Sequence, residues 1–169
     1  MAIADKLLSF IPELLRYTVL LRAFGFFQVP LIFAVRPTIV CLDENQCVIK
    51  IAFRRKIKNH LNSIYFGALA IAAECTGGVA VMKEIQDSGE NISLVFKDFH
   101  ADFLKRAESD TYFTCTDIAA IKLFVENVKN SDERKEMPFD VVATCPDKFG
   151  DEPVAKFRVT VSLKRSASP

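Results

Sequence analysis

The chain has 169 residues, half of them apolar, with fifteen phenylalanines. That length suits one domain with a real core, and the composition excludes an intrinsically disordered chain. Twenty-two basic side chains face twenty-one acidic ones, so the net charge of +1 gives no global drive toward nucleic acid or an anionic membrane, and attraction to a phosphate-bearing ligand has to be local.

In chain order, Leu7, Ile11, Leu14, Leu15, Thr18 and Leu21 recur at helical spacing and predict a helix over residues 3–24. Pro12 fits near the start of a turn, which leaves two shorter helices as an alternative. Residues 23–35 are apolar and uncharged, but this stretch is too short to cross a bilayer and holds Gln28 and Pro30. Asp5 and Glu13 stand where a secretory leader would carry its basic and apolar parts. The expectation is a cytoplasmic protein with no transmembrane segment, a membrane-surface helix being the alternative. Pro30 and Pro37 predict irregular chain over residues 25–37.

Strands are expected at residues 38–43 and 46–56, forming a hairpin around Glu44-Asn45, with Ile49, Ile51 and Phe53 on one face and Lys50, Arg54 and Lys56 on the other. From Gly67 to Met82 the only charge is Glu74. This run is rich in Ala and apolar all round, which predicts a buried helix over about residues 65–82. Gly77 and Gly78 each cost such a helix about 1 kcal/mol against alanine, so something must approach it closely. Residues 91–105 and 109–117 read as a second hairpin around Ala107-Glu108. Asp117 is placed to cap a helix through Val128, followed by a loop over residues 129–136. Two alternating strands then carry Phe139, Val141, Ala143 and Cys145, and Ala155, Phe157, Val159, Val161 and Leu163. The whole reads as one α+β domain over residues 1–169: an antiparallel sheet of five or six strands curved around one helix, with residues 1–37 as an N-terminal extension and 165–169 as a frayed tail.

Cys41, Cys47, Cys75, Cys115 and Cys145 are odd in number and lack C-x-x-C spacing, so neither a disulfide framework nor a zinc site is expected, and no metal is assigned. His60 and His100, the only histidines, lack nucleophile spacing, which argues against Ser-His or Cys-His chemistry.

One constellation carries chemistry: residues 59–67, reading Asn-His-Leu-Asn-Ser-Ile-Tyr-Phe-Gly, and seven residues later Glu74. It resembles the hotdog-fold thioesterases of the phenylacetate-pathway type, whose motif is Asn-x-x-Gly-x-x-His-Gly-Gly followed by an acidic residue on the central helix. Asn59, Gly67 and Glu74 match, whereas Asn62, Tyr65 and Phe66 stand at the first glycine, the histidine and the middle glycine. The wider pattern, Arg55 to Asn59 and then Gly67-Ala68-Leu69 to Glu74, is similar to a branch known as a domain of unknown function with suggested thioesterase activity. The resemblance covers about residues 25–165 and implies a hotdog fold, a homodimer or dimer of dimers, and sites formed between protomers. The substrate it implies is an acyl thioester whose coenzyme A is part of the substrate, with no separate cofactor.

The residues support that chemistry independently. A carboxylate among Ala and Ile has its pKa pushed up by desolvation, toward general-base values. Free N–H groups at the helix start, near Phe66 and Gly67, suit an oxyanion, and the Asn59 amide can orient water or polarise a carbonyl. Tyr65, Arg54, Arg55 and Lys58 are candidate substrate contacts, the cations for the phosphates of coenzyme A. No basic–aromatic interleaving extends further, so nucleic acid is not an expected partner. Phe24, Phe26, Phe27 and Phe33 are candidates for an acyl slot or for ordinary core. The expected activity is acyl thioester hydrolysis, with a non-catalytic apolar-ligand binding protein on the same scaffold as the alternative and a hotdog dehydratase disfavoured by the missing motif histidine.

Overall fold

The alanine- and glycine-rich segment lies at the centre of the molecule. In the computed structural model, which describes residues 12–166, it forms the middle of helix α3 (Phe66–Ser88). Ahead of α3 come α1 (Glu13–Phe27), α2 (Pro30–Val35), β1 (Thr38–Leu42), β2 (Cys47–Ile51) and one 3-10 turn (Arg55–Ile57). After it come β3 (Ile92–Phe103), β4 (Thr111–Cys115), α4 (Ile118–Lys129), β5 (Lys135–Thr144), α5 (Pro146–Phe149) and β6 (Pro153–Arg165). The six strands form one antiparallel sheet in the order β1-β2-β4-β5-β6-β3.

The sheet turns its apolar alternate residues toward α3. Cys47, Ile49 and Ile51 of β2, Phe113 of β4, Phe139 and Val141 of β5, and Phe157 to Leu163 at every second position of β6 are buried. Along α3, Ala68, Ala72, Ala73, Thr76, Gly77 and Ala80 are buried as well. The two helix glycines now have a reason. A methyl group on Gly77 would overlap the ring of Phe139, and one on Gly78 would come 3.2 Å from the ring of Phe96. By length and composition α3 could cross a membrane, but half of its most apolar stretch is buried inside this fold.

Several boundaries differ from expectation. The helix predicted over residues 3–24 falls partly outside the described residues; its described part runs on to Phe27. The expected tail, residues 165–169, lies partly outside them; its first residue, Arg165, still belongs to β6. Residues 25–37 are not irregular throughout. Pro30 opens α2, where its missing N–H costs nothing, and Arg36 closes it in the left-handed conformation. Gly25 lets α2 fold back on α1: a side chain there would lie 2.7 Å from the Phe33 backbone nitrogen. β2 stops at Ile51 rather than at 56, because Arg54 turns aside and donates to the carbonyls of Ala34 and Val35 at the end of α2. The first hairpin forms as expected, its turn held by the Asp43 carboxylate accepting from the N–H groups of Asn45 and Gln46.

The second hairpin does not form. β3 pairs with β6 at the sheet edge, while β4 inserts between β2 and β5. Residues 104–110 carry the chain across the end of the sheet. Leu104 and Lys105 donate to the Val154 carbonyl, buried Ala107 accepts from Ile64, and the Asp110 carboxylate accepts from Phe53 N–H and pairs with Lys50. Nor does Asp117 cap α4 with its side chain, which accepts from the backbone N–H of Asp140 instead. The loop expected over 129–136 ends early, since β5 begins at Lys135. All five cysteines are free thiols, four of them buried.

Gly77→Ala is expected to destabilise the fold. The overlap with an immobile, buried Phe139 costs about 1–3 kcal/mol, more than the about 1 kcal/mol that alanine gains over glycine in a helix. Adding Phe139→Leu should recover part of the loss, so urea unfolding of the double variant should show less destabilisation than the two singles summed.

Candidate functional site

Glu74 sits halfway along α3 at the wall of a cavity of about 600 Å³. The cavity lies between α1, which contributes Tyr17, Leu20, Leu21 and Phe24, and the α3 residues Glu74, Cys75, Gly78, Val79 and Met82. Its remaining walls come from Ile39 of β1 and from Ile92, Leu94 and Phe96 of β3. These linings are overwhelmingly apolar; Glu74, Lys83, Gln86 and the Tyr17 hydroxyl supply the polar groups. Among the described residues Glu74 has neither an ion-pair nor a hydrogen-bond partner. Burial alone pushes its carboxyl above the ordinary range. Cys75, turned into the core beside it, is held protonated by the same burial, with its thiol pushed up to about 12.

A second polar feature lies at the start of α3. Tyr65 precedes the helix without capping it through its side chain. The N–H groups of Phe66 and Gly67 have no acceptor among the described residues, as expected of a first helical turn. Asn59 organises the loop that leads there. Its Oδ1 accepts from Leu61 N–H, Ser63 N–H and Ser63 Oγ at 3.0, 3.2 and 3.1 Å. Asn62 takes the left-handed conformation that asparagine tolerates. The amide oxygen of Asn59 is therefore committed to the loop, and its NH2 group makes no hydrogen bond among the described residues. The Tyr65 ring covers Gly67, where a Cβ would meet it at 2.6 Å, and lies tilted against Phe66 with ring centroids 4.6 Å apart. The Phe66 ring in turn points outward to Phe103 on the edge strand, at 6.0 Å.

The other expected site residues separate. Arg54 is tied to the end of α2, Arg55 stands exposed on the 3-10 turn, and Lys58 lies 3.6 Å above the Phe53 ring and donates to Asn62. None of Asn59, Tyr65, Phe66 or Gly67 lines the cavity that holds Glu74. Helical rise puts Glu74 about 10 Å along the axis from Gly67. Of the four phenylalanines named for an acyl slot, only Phe24 lines the cavity; Phe26, Phe27 and Phe33 are exposed. Leu20, Leu21 and Tyr17 take the places expected for them. Their spacing with Phe24 is a helical stripe, a signal present in the sequence.

A curved antiparallel sheet wrapped around one long helix is a hotdog fold. The chain belongs to the DUF4442 family, a domain of unknown function whose model matches residues 18–163. Among solved structures, a protein of unknown function from Pseudomonas aeruginosa, described as a probable thioesterase, is 19% identical, with a TM-score of 0.72 over 88% of this chain and 96% of that one. A protein of unknown function from Chlorobaculum tepidum is 12% identical, with a TM-score of 0.76 over 89% and 96%. A thioesterase from Haemophilus influenzae is 13% identical, with a TM-score of 0.60 over 79% and 82%. At these identities the likeness is one of fold. No curated protein matches the sequence.

The raised carboxyl has a consequence for stability. A folded-state pKa above the unfolded value means that the native protein binds this proton more tightly, so the stability contributed by this group is fully present below the unfolded pKa and is lost as pH rises through the folded pKa. Glu74→Gln removes the titrating group. Melting temperatures across pH should show the variant gaining on the wild type as pH rises through and above the carboxylate range, with the gap closing in acid.

Proposed function

We propose that this protein hydrolyses an apolar acyl thioester, with Glu74 as the general base. The observation that carries this reading is a half-buried carboxylate, without a partner among the described residues, in the wall of an apolar cavity. An acyl chain would fill the cavity against Leu20, Leu21, Phe24 and Met82. Glu74 would take a proton from water as the water oxygen attacks the thioester carbon. The C–S bond then breaks, and the proton passes to the departing thiolate. The N–H groups of Phe66 and Gly67 would receive the developing oxyanion, and the Asn59 NH2 would orient the carbonyl or the water. With coenzyme A as the leaving group, Arg55 and Lys58 would meet its phosphates, Arg54 holding their loop against α2 and Tyr65 flanking the entrance. No further cofactor is needed, and the cytoplasm is the compartment we assign.

The oxyanion donors and the base lie too far apart on one helix to share a small reaction centre. We therefore place the site between two protomers, the start of one α3 against the middle of its antiparallel partner. The β3 edge supports such a dimer. Along this strand Val95, Phe96, Phe99 and Phe103 all keep exposed surface, and an unpaired apolar edge is an aggregation liability that pairing removes.

A non-catalytic acyl-binding protein is the second reading. It is favoured by Tyr65 and Phe66 standing where the resembling motif has histidine and glycine. Turnover of acyl thioesters of graded length separates the two. Hydrolysis is expected, and Glu74→Gln should lower it by about 100-fold or more. Saturable ligand binding without turnover would favour the second. Mixing Asn59→Ala with Glu74→Gln subunits should restore about a quarter of wild-type activity per total site, since random exchange makes half the dimers mixed, each with one intact site. No recovery after demonstrated exchange would refute the shared site.

A further inference from the structure

The N-terminal helices carry an apolar surface that the catalytic reading does not use. Gly25 brings the backbones of α1 and α2 together. The crossing gathers Phe26, Phe27 and Phe33 into one edge-to-face cluster, with ring centroids 5.1 and 5.2 Å apart, yet it leaves them outside the core. Phe27 is 75% exposed and Leu31 65%. Leu15, Val19 and Leu20 extend the same exposure along α1. Single exposed apolar residues are ordinary, whereas apolar side chains clustered on one face mark an interaction surface.

Two further observations say what covers it. The first is charge. Residues 13–37, which form this face, hold three basic side chains (Arg16, Arg22 and Arg36) and one acidic one (Glu13), while the rest of the chain is net acidic. Arg22, Arg36 and Arg54 converge where α2 ends. Arg22 bonds Pro37 O and Thr38 Oγ1, Arg54 bonds Val35 O, and both feel the Arg36 charge. Arg36 itself is exposed and makes no ion pair among the described residues. An aromatic cap bordered by cations is complementary to a surface that is apolar inside and anionic at its rim. The second is continuity. Leu20, Phe24 and Val29 are exposed on this face and also line the cavity, so the cavity mouth opens through the patch.

We propose that the α1–α2 face docks on an anionic lipid bilayer, burying Phe26, Phe27, Leu31 and Phe33 at the headgroup boundary and setting the cavity mouth against the lipid. The ligand would then be an acyl chain entering from the membrane phase. Docking concerns a different surface from the chemistry at Glu74, so the two can fail separately.

Co-sedimentation of the full chain with vesicles tests it. Wild type should pellet with phosphatidylcholine vesicles containing about one-third phosphatidylglycerol at low ionic strength, and more weakly with phosphatidylcholine alone. Phe27→Ser/Leu31→Ser should lower partitioning at least about tenfold on both. Arg36→Glu should lower it about tenfold on the anionic vesicles only. Neither site lies in the cavity wall, so hydrolysis of a water-soluble short-chain thioester should be unchanged if the protein hydrolyses thioesters. The chain has no tryptophan, so Phe27→Trp supplies a lone reporter whose emission should shift to the blue when anionic vesicles are added. Failure of wild type to pellet with anionic vesicles would overturn the proposal, as would equal pelleting of Phe27→Ser/Leu31→Ser or an unchanged emission from the Phe27→Trp variant. A fall in oligomeric state in the Ser variant with no vesicle binding by wild type would also overturn it, and would assign the face to a second copy of the chain.

Discussion

The Phe139 ring lies where the Gly77 side chain would be, and that contact sets how closely helix and sheet approach. A helix normally stands off a sheet by the thickness of two side-chain layers. At Gly77 one of those layers is missing, and a fully buried aromatic ring fills the gap. The neighbouring alanines keep the spacing short along the helix, so the strands must bend to follow it. Much else depends on this: the reach of β1 and β3 around the helix, and the narrow apolar space left beneath α1. The same choice of small residues leaves Glu74 with nothing on its own helix to bond to.

An unpaired carboxylate in an apolar wall is a stored cost. A protein selected for stability alone would place an arginine opposite Glu74 or replace it with an apolar residue. The chain carries many ion pairs elsewhere, including Lys50–Asp110 and Lys97–Glu136, so cations were available to it. Among the described residues none pairs with Glu74. The Asn59 loop behaves in the opposite manner: three donors converge on one amide oxygen and hold residues 59–63 rigid in front of an uncapped helix start. In the hydrolysis we propose, the unpartnered carboxylate and the helix-start N–H groups behind this loop would be the complementary halves of proton transfer coupled to charge stabilisation.

The central helix was readable because its composition has one physical meaning: small and apolar on all sides means buried, and glycine in a helix means close approach. The alternation in β5 and β6 was readable for a similar local reason, and so was the desolvation of Glu74. What escaped was non-local. Nothing in residues 91–117 reveals that β3 will choose β6 over its neighbour in sequence, because that pairing depends on hydrogen bonds from Leu104 and Lys105 to Val154 and on Ala107 meeting Ile64. The end of β2 was hidden likewise, since Arg54 is drawn away by carbonyls of α2 that lie about 20 residues earlier in the chain. The phenylalanines near Gly25 show a third kind of gap. Their hydrophobicity is plain, but which of them face inward follows from the crossing of two helices rather than from any one residue. For the site, Glu74 and the motif around it were legible, while the lining from α1 required the packing to be known.

The cavity touches Ile39 on β1 and Ile92, Leu94 and Phe96 on β3, the first and last strands of a six-stranded row. The sheet has curled until its two margins border one space. Whatever fills that space becomes a keystone: it touches both ends of an arch that no hydrogen bond closes. Its binding energy would then be felt as resistance to uncurling, and strands that share no ladder would open to solvent as one unit. Amide protons of β1 and β3 would slow in exchange together on filling, while the central strands, already closed, would register little.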